Sequence, residues 1–121
     1  VCISKKSYSG ERIQANREFG LNLVDESLQN AAFRCGTCSG RTENKPEQFG
    51  VELTDAAAMQ TKLVKAHKVA LECRLVNTVE VADHVLYIAE IIEAHCNPDC
   101  SQLFSLNGYS ALGTVEPKTK A

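Results

Sequence analysis

The stretch Ser39-Gly40-Arg41, followed by Lys45, gathers a hydroxyl, a glycine and two cations on one polar loop. That set suits an anion. Arg41 carries the planar fork that makes two parallel bonds to oxyanion oxygens, and Gly40 lets the backbone come close. Ser9 adds another hydroxyl; capping a helix, it would stand beside free N–H groups, where negative charge is favoured. A solvated surface loop uses the same residue types, so the residues alone leave both readings open.

Cys35-Gly36-Thr37-Cys38 is a C-x-x-C pair, and Cys96 and Cys100 form a wider pair downstream. In a dithiol oxidoreductase such a pair opens a helix after a strand, where the helix dipole lowers the thiol pKa. Here the pair is expected to close a helix, without strand-helix-strand context, which argues against that chemistry. Cys35, Cys38, Cys96 and Cys100 could instead form a four-thiolate zinc site, with His95 able to replace one ligand. The long gap between the pairs weakens that signal, and core or surface thiols account for the same residues. The rival reading is therefore a small binding or structural module, zinc-stapled or free of any cofactor.

His84 follows Asp83 at the head of a long apolar run. It is either a turn residue bonded to its neighbour or a group facing a binding site. Asn22 stands mid-strand, where its type is disfavoured. A hydrogen bond across the sheet is the simplest account of it.

These residues must be positioned by a chain of 121 residues, enough for one domain over residues 1–121 with a core of its own. Hydrophobic residues at 44% and charged residues at 23% are ordinary globular values that argue against disorder. The formal charge of -2 is not the basic footprint of a nucleic-acid binder. No apolar run approaches the roughly 20 residues that span a bilayer, and the first residues lack a secretory pattern. Six cysteines beside long apolar segments fit free thiols in a reducing cytoplasm better than a disulfide framework. The abrupt apolar opening Val1-Cys2-Ile3 leads us to expect a preceding segment.

Residues 9–17 read as a helix capped by Ser9, with Glu11 in its first turn and Ile13 pointing inward. Residues 19–24 alternate as a strand, with Phe19, Leu21 and Leu23 on one side. Asp25 or Ser27 caps a second helix whose Leu28, Ala31, Ala32 and Cys35 share a face. Residues 36–48 form a polar loop, and Thr54 and Asp55 are candidate caps for an Ala-rich turn. Residues 69–76 alternate, with Val69, Leu71, Cys73 and Leu75 opposite Glu72 and Arg74. After a break at 81–83, residues 84–95 form a strand apolar on both faces, as in a barrel wall or under a partner subunit. The tail, residues 108–121, is turn-rich and ends polar. About four strands and two short helices without strand-helix alternation give a mainly β, antiparallel barrel with short peripheral helices.

The order of segments carries a resemblance. VCISKK is followed by SYSGERI, NREFGLNLV, CSGRTENKPEQFG, ALECRL, a hairpin, ADHVLYIAEI and LNGYSALG. Together they resemble the flavin reductase-like family, in particular its flavoredoxin-type branch, over nearly the whole chain. The family's threonine falls on Ser9, and its G-D-H reads Ala82-Asp83-His84. Members of that family usually carry additional N-terminal strands that contribute to the flavin site. The resemblance implies a Greek-key split β-barrel, a homodimer, and bound FMN. It further implies a flavin reductase or flavoredoxin-like electron-transfer protein, moving electrons from NAD(P)H or a protein donor through the flavin. On the same basis Ser9, Ser39, Gly40, Arg41 and Lys45 are expected to hold the FMN phosphate, with His84 on the nicotinamide side. No side chain need act as acid or base, since the flavin carries the redox chemistry.

Overall fold

A computed structural model describes residues 1–108 and 110–116. The chain runs through β1 (Cys2–Ser4), α1 (Tyr8–Asn16), β2 (Glu18–Val24), a 3-10 turn (Glu26–Leu28), α2 (Gln29–Thr37) and α3 (Lys45–Gln48). It continues through β3 (Leu53–Thr54), β4 (Leu63–Val64), β5 (His67–Val81), β6 (His84–Cys96), β7 (Phe104–Asn107) and β8 (Ala111–Gly113). Four strands form the main sheet in the order β1-β6-β5-β2, with every neighbour antiparallel. β3–β4 and β7–β8 are separate two-stranded ladders. Tyr109 and the polar end of the tail, 117–121, lie outside the described residues.

The long alternating runs fold as their periodicity requires. β5 and β6 form one extended hairpin, turning at Ala82, whose φ of 52° is the left-handed conformation a tight turn needs. One face of that hairpin is closed by α1. Ile13, Leu75, Val85 and Tyr87 make the core cluster there, with Ile3 and Phe19 packed against it. Each such aliphatic side chain contributes roughly 1.5–3 kcal/mol by leaving water. Gln14 Nε2 donates to Tyr87 Oη at 3.0 Å, which satisfies the hydroxyl that burial would otherwise strand. Gly10 permits this approach, because a Cβ there would lie 2.8 Å from that same oxygen.

The two-sided strand at 84–95 is covered on one side within the chain. Val85 and Tyr87 are buried, whereas Ile88 and Ile91 are exposed. The register places Val79, Val81, Leu86 and Ile88 together on the outer face of the hairpin, with His84 at its head.

α1 begins at Tyr8 and is capped by Ser7, whose side chain accepts from the Ser9 amide at 3.2 Å. Ser9 therefore sits inside the first turn and is not the cap. Both residues are serines two apart, and the extended backbone at Ser7 decides between them. Asp25 caps the 3-10 turn, receiving the amides of Ser27 and Ser101. These bonds, that to Ser27 foremost, lower its carboxyl pKa to about 2.

The stretch 36–48 is less of a loop than its composition suggests, since α2 runs to Thr37 and α3 forms one turn opened by Pro46. The Ala-rich stretch after Thr54 makes no helix. It crosses one face of the sheet as bends and is held there by side chains. Ala57 and Ala58 donate their amides to Glu72 Oε2 and Oε1 at 2.9 and 2.7 Å, Thr61 to Glu18 at 2.7 Å, and Val64 to Asn22 at 3.1 Å. Asn22 is thus a satisfied structural residue. Glu72, which reads as an outward-facing charge, is fully buried beneath this segment and also bonded to His95 Nε2. Burial pushes its carboxyl pKa up, but the bonds from His95, Ala58 and Ala57 outweigh that and hold it below the usual value. Among the described residues no helix is long and apolar enough to cross a membrane.

Candidate functional site

Gly40, Arg41, Thr42, Glu43, Asn44, Lys45 and Pro46 line an open cleft of about 520 Å³ between the end of α2 and the start of α3. Local bonding builds it. The Ser39 hydroxyl accepts the Arg41 amide at 3.1 Å, and the Ser39 carbonyl accepts the amides of Thr42 and Glu43. This tight turn projects Arg41 back towards α1, where its guanidinium meets Glu11 Oε2 at 2.7 Å and lies 5.2 Å from the centre of the Tyr8 ring. Gly40 eases that approach: a Cβ there would sit 3.1 Å from Tyr8 Cδ2, and the ring would have to give by a few tenths of an ångström. Lys45 reaches back to the end of α2 and donates to the Cys35 carbonyl at 2.7 Å, satisfying one of the helix's last carbonyls.

Three of the five residues expected to hold an anion, Gly40, Arg41 and Lys45, therefore line one cleft, with Ser39 at its edge. Ser9 does not line it. Its neighbour Tyr8 stands against Gly40 and Arg41, while Ser9 lines a second groove of about 500 Å³ with Val1, Ile3, Arg12 and Phe19. The Ser9 amide is already bonded to Ser7, so it is not a free donor for an anion. Tyr8 and Glu11 belong to the site and escaped the sequence reading. Their spacing puts them on one face of the first helical turn, but nothing in it points to a loop thirty residues away.

Arg41 is half exposed and so is Glu11. An ion pair in such a setting contributes about 0–1 kcal/mol, little enough for an incoming phosphate to displace the carboxylate. Lys45 has donors left after its bond to Cys35. The donor set thus fits a phosphate-bearing group, with Glu11 as the resident competitor.

His84 heads β6 opposite Ser4 and bonds through Nδ1 to Asp83 Oδ1 at 2.9 Å. That bond holds the Asp83 carboxyl below its ordinary pKa. The Asp83 carbonyl also receives the Lys5 amide, which ties the turn to the end of β1.

All six cysteines are free thiols: Cys73 is buried, Cys35 and Cys100 are half-buried, and Cys2, Cys38 and Cys96 are exposed. The zinc alternative requires Cys35, Cys38, Cys96 and Cys100 to converge. Among the described residues no three His, Cys, Asp or Glu side chains stand close enough to hold a metal ion. Cys35 and Cys38 close α2, while Cys96 ends β6 and Cys100 lies in the following turn, within reach of Asp25.

Comparison with known proteins matches residues 1–113 to the flavin reductase like domain. An uncharacterized protein of Archaeoglobus fulgidus is 32% identical over 92 residues, covering 76% of this chain and 52% of that relative. The chain thus spans about half the length of the curated relative it matches. Among solved structures, an FMN-binding protein from Thermus thermophilus superposes with a TM-score of 0.84 at 16% identity, over 100% of this chain and 70% of the other. Flavoredoxin from Methanosarcina acetivorans gives 0.81 at 23% identity, over 100% and 70%. An NADH:FAD oxidoreductase from Streptomyces globisporus gives 0.80 at 19%, over 97% and 68%. At these identities the likeness establishes the fold, which is the mainly β, antiparallel split-barrel class expected from the sequence.

Proposed function

This chain belongs to the flavin reductase-like domain family, and from that premise we propose that it binds FMN and passes electrons through it. The observation that carries this reading is the convergence of Gly40, Arg41 and Lys45 on one cleft whose chemistry suits a phosphate. Arg41 turns its fork from Glu11 to the phosphate oxygens, Lys45 adds a second cation from α3, and the Ser39 hydroxyl donates from the edge. The turn at Ser39, whose hydroxyl accepts the Arg41 amide, keeps the Arg41 backbone in place while this exchange occurs. When bound, a flavin supplies hydride and single-electron chemistry, and the protein supplies position and electrostatics. The electrons come from NAD(P)H or from a protein donor, and His84, half-buried beside the hairpin turn, is the residue assigned to the nicotinamide side.

The active form is a homodimer. The outer face of the β5–β6 hairpin supports this, since Val79, Val81 and Ile88 are 41–53% exposed side by side on a regular sheet. Contiguous apolar surface of that kind marks a face built for a partner.

Titration of the purified chain with FMN, read by ring fluorescence and visible absorbance, tests the reading. Saturation near one FMN per subunit is expected. The double variant Arg41→Ala, Lys45→Ala should weaken binding by about 100-fold or more, because each lost charge-assisted bond to phosphate contributes roughly 1.5–3 kcal/mol. Unchanged affinity in the double variant would remove the phosphate from this cleft.

A further inference from the structure

Resting on the assignment of the Gly40–Lys45 cleft, we propose that Cys35 and Cys38 form a thiol/disulfide couple that controls it, oxidised by a low-molecular-weight disulfide. Cys35 lies in the last turn of α2 and Cys38 follows it as the extended C-terminal cap. Residues three apart on a helix lie on one face with Cα atoms about 5 Å apart, inside the span a disulfide bridges. Cys38 is exposed and Cys35 half-buried behind it, so one thiol meets the reagent and the other resolves the adduct.

Closing the bridge must move the end of the helix. A disulfide needs Cβ atoms about 3.5–4.5 Å apart, closer than the about 5–6 Å of residues three apart on a helix, so the last turn and the extended Cys38 cap must draw together. Gly36, between the two cysteines, gives the backbone freedom to do so. That turn holds the cleft together. The Cys35 carbonyl anchors Lys45 at 2.7 Å, the Arg34 carbonyl is bonded by the Thr37 hydroxyl, and the Arg34 guanidinium packs on Phe49 at the end of α3. A shift of the Cys35 carbonyl therefore releases Lys45 and loosens α3 against α2. The reduced state keeps the cation in place; the oxidised state frees it and weakens the hold on an anion.

The chemistry balances without help from the flavin. The Cys38 thiolate attacks one sulfur of the reagent disulfide, whose S–S bond breaks and releases one thiol as a mixed disulfide forms on Cys38. Cys35, having given its proton to solvent, attacks Cys38 Sγ and expels the second thiol. Two protein thiols are oxidised and one reagent disulfide is reduced to two thiols.

The test equilibrates the full chain in glutathione/glutathione disulfide buffers and maps the products by mass. Hydrogen exchange across 35–49 and FMN affinity are then measured in the oxidised and reduced forms. The expected result is an intramolecular link between Cys35 and Cys38 and faster exchange at the Phe49 amide, which bonds the Lys45 carbonyl. FMN binding should weaken by about tenfold, dithiothreitol should restore both readouts, and Cys38→Ser should show neither change. A glutathione adduct that stays on Cys38 without closing onto Cys35 overturns the proposal. So does a closed disulfide that leaves FMN affinity unchanged. If the reduced chain also fails to bind FMN, the flavin reading falls instead, and hydrogen exchange alone decides the switch: protection at 35–49 that ignores the disulfide overturns it.

Discussion

Replacing Glu72 by alanine strips three hydrogen bonds from one buried carboxylate. The amides of Ala57 and Ala58 lose acceptors at 2.9 and 2.7 Å, and His95 Nε2 loses its partner. A buried donor left unsatisfied costs about 1–3 kcal/mol. The two alanines are themselves exposed, so water recovers part of that loss. A net destabilisation of roughly 3 kcal/mol follows, which at about 4 °C per kcal/mol lowers Tm by roughly 12 °C. Glu72→Gln keeps the volume and one acceptor, so about 1–2 kcal/mol is expected. Urea unfolding gives the free energies, and hydrogen exchange should show lost protection at the Ala57 and Ala58 amides. The pH dependence separates this account from simple packing. Because the folded pKa of Glu72 lies below its ordinary 4.5, its stabilisation is complete above about that pH. It is lost as pH falls through the folded value. The gap between wild type and Glu72→Gln should therefore close on acidification below 4.5. An alanine variant within about 0.5 kcal/mol of wild type, or a gap that ignores pH, would refute the reasoning.

His84→Ala should retain FMN affinity while NADH oxidation falls, read by titration and by absorbance of the nicotinamide; equal loss of both would make it a structural turn residue bonded to Asp83. Ile88→Asp, on the outer face of the hairpin, should shift sedimentation from dimer to monomer, and a dimer that persists would put the partner elsewhere. Gly10→Val should cost about 1–3 kcal/mol in urea unfolding, since its Cβ would meet Tyr87 Oη at 2.8 Å. A neutral result there would show that α1 has room to move away from β6.

Periodicity made the main elements legible from the chain itself. The alternation through residues 69–76 and 84–95 and the Phe19 to Val24 pattern are properties of each strand alone, and all three fold as strands. The C-x-x-C pair could be placed at the end of a helix for the same local reason. Membership of the flavin reductase-like family was also readable, because motif order survives where each motif is weak. Other features depend on partners distant in sequence. Glu72 alternates correctly with Cys73, yet its face is buried by the segment 57–61, which has no regular period. The two-residue strands β3 and β4 carry too few positions to show any pattern. Ser7 rather than Ser9 caps α1 because the backbone arriving from β1 is extended at Ser7. Arg41 meets Glu11, and Lys45 meets Cys35, only after the turn at Ser39 has folded. The long strands and the two nine-residue helices could be read along the chain, since they depend on near neighbours. The burial of Glu72, and the meeting of the 40–46 stretch with Tyr8 and Glu11 of α1 and Cys35 of α2, came only with the folded chain, because burial and contact are relations between segments that spacing along one segment does not encode.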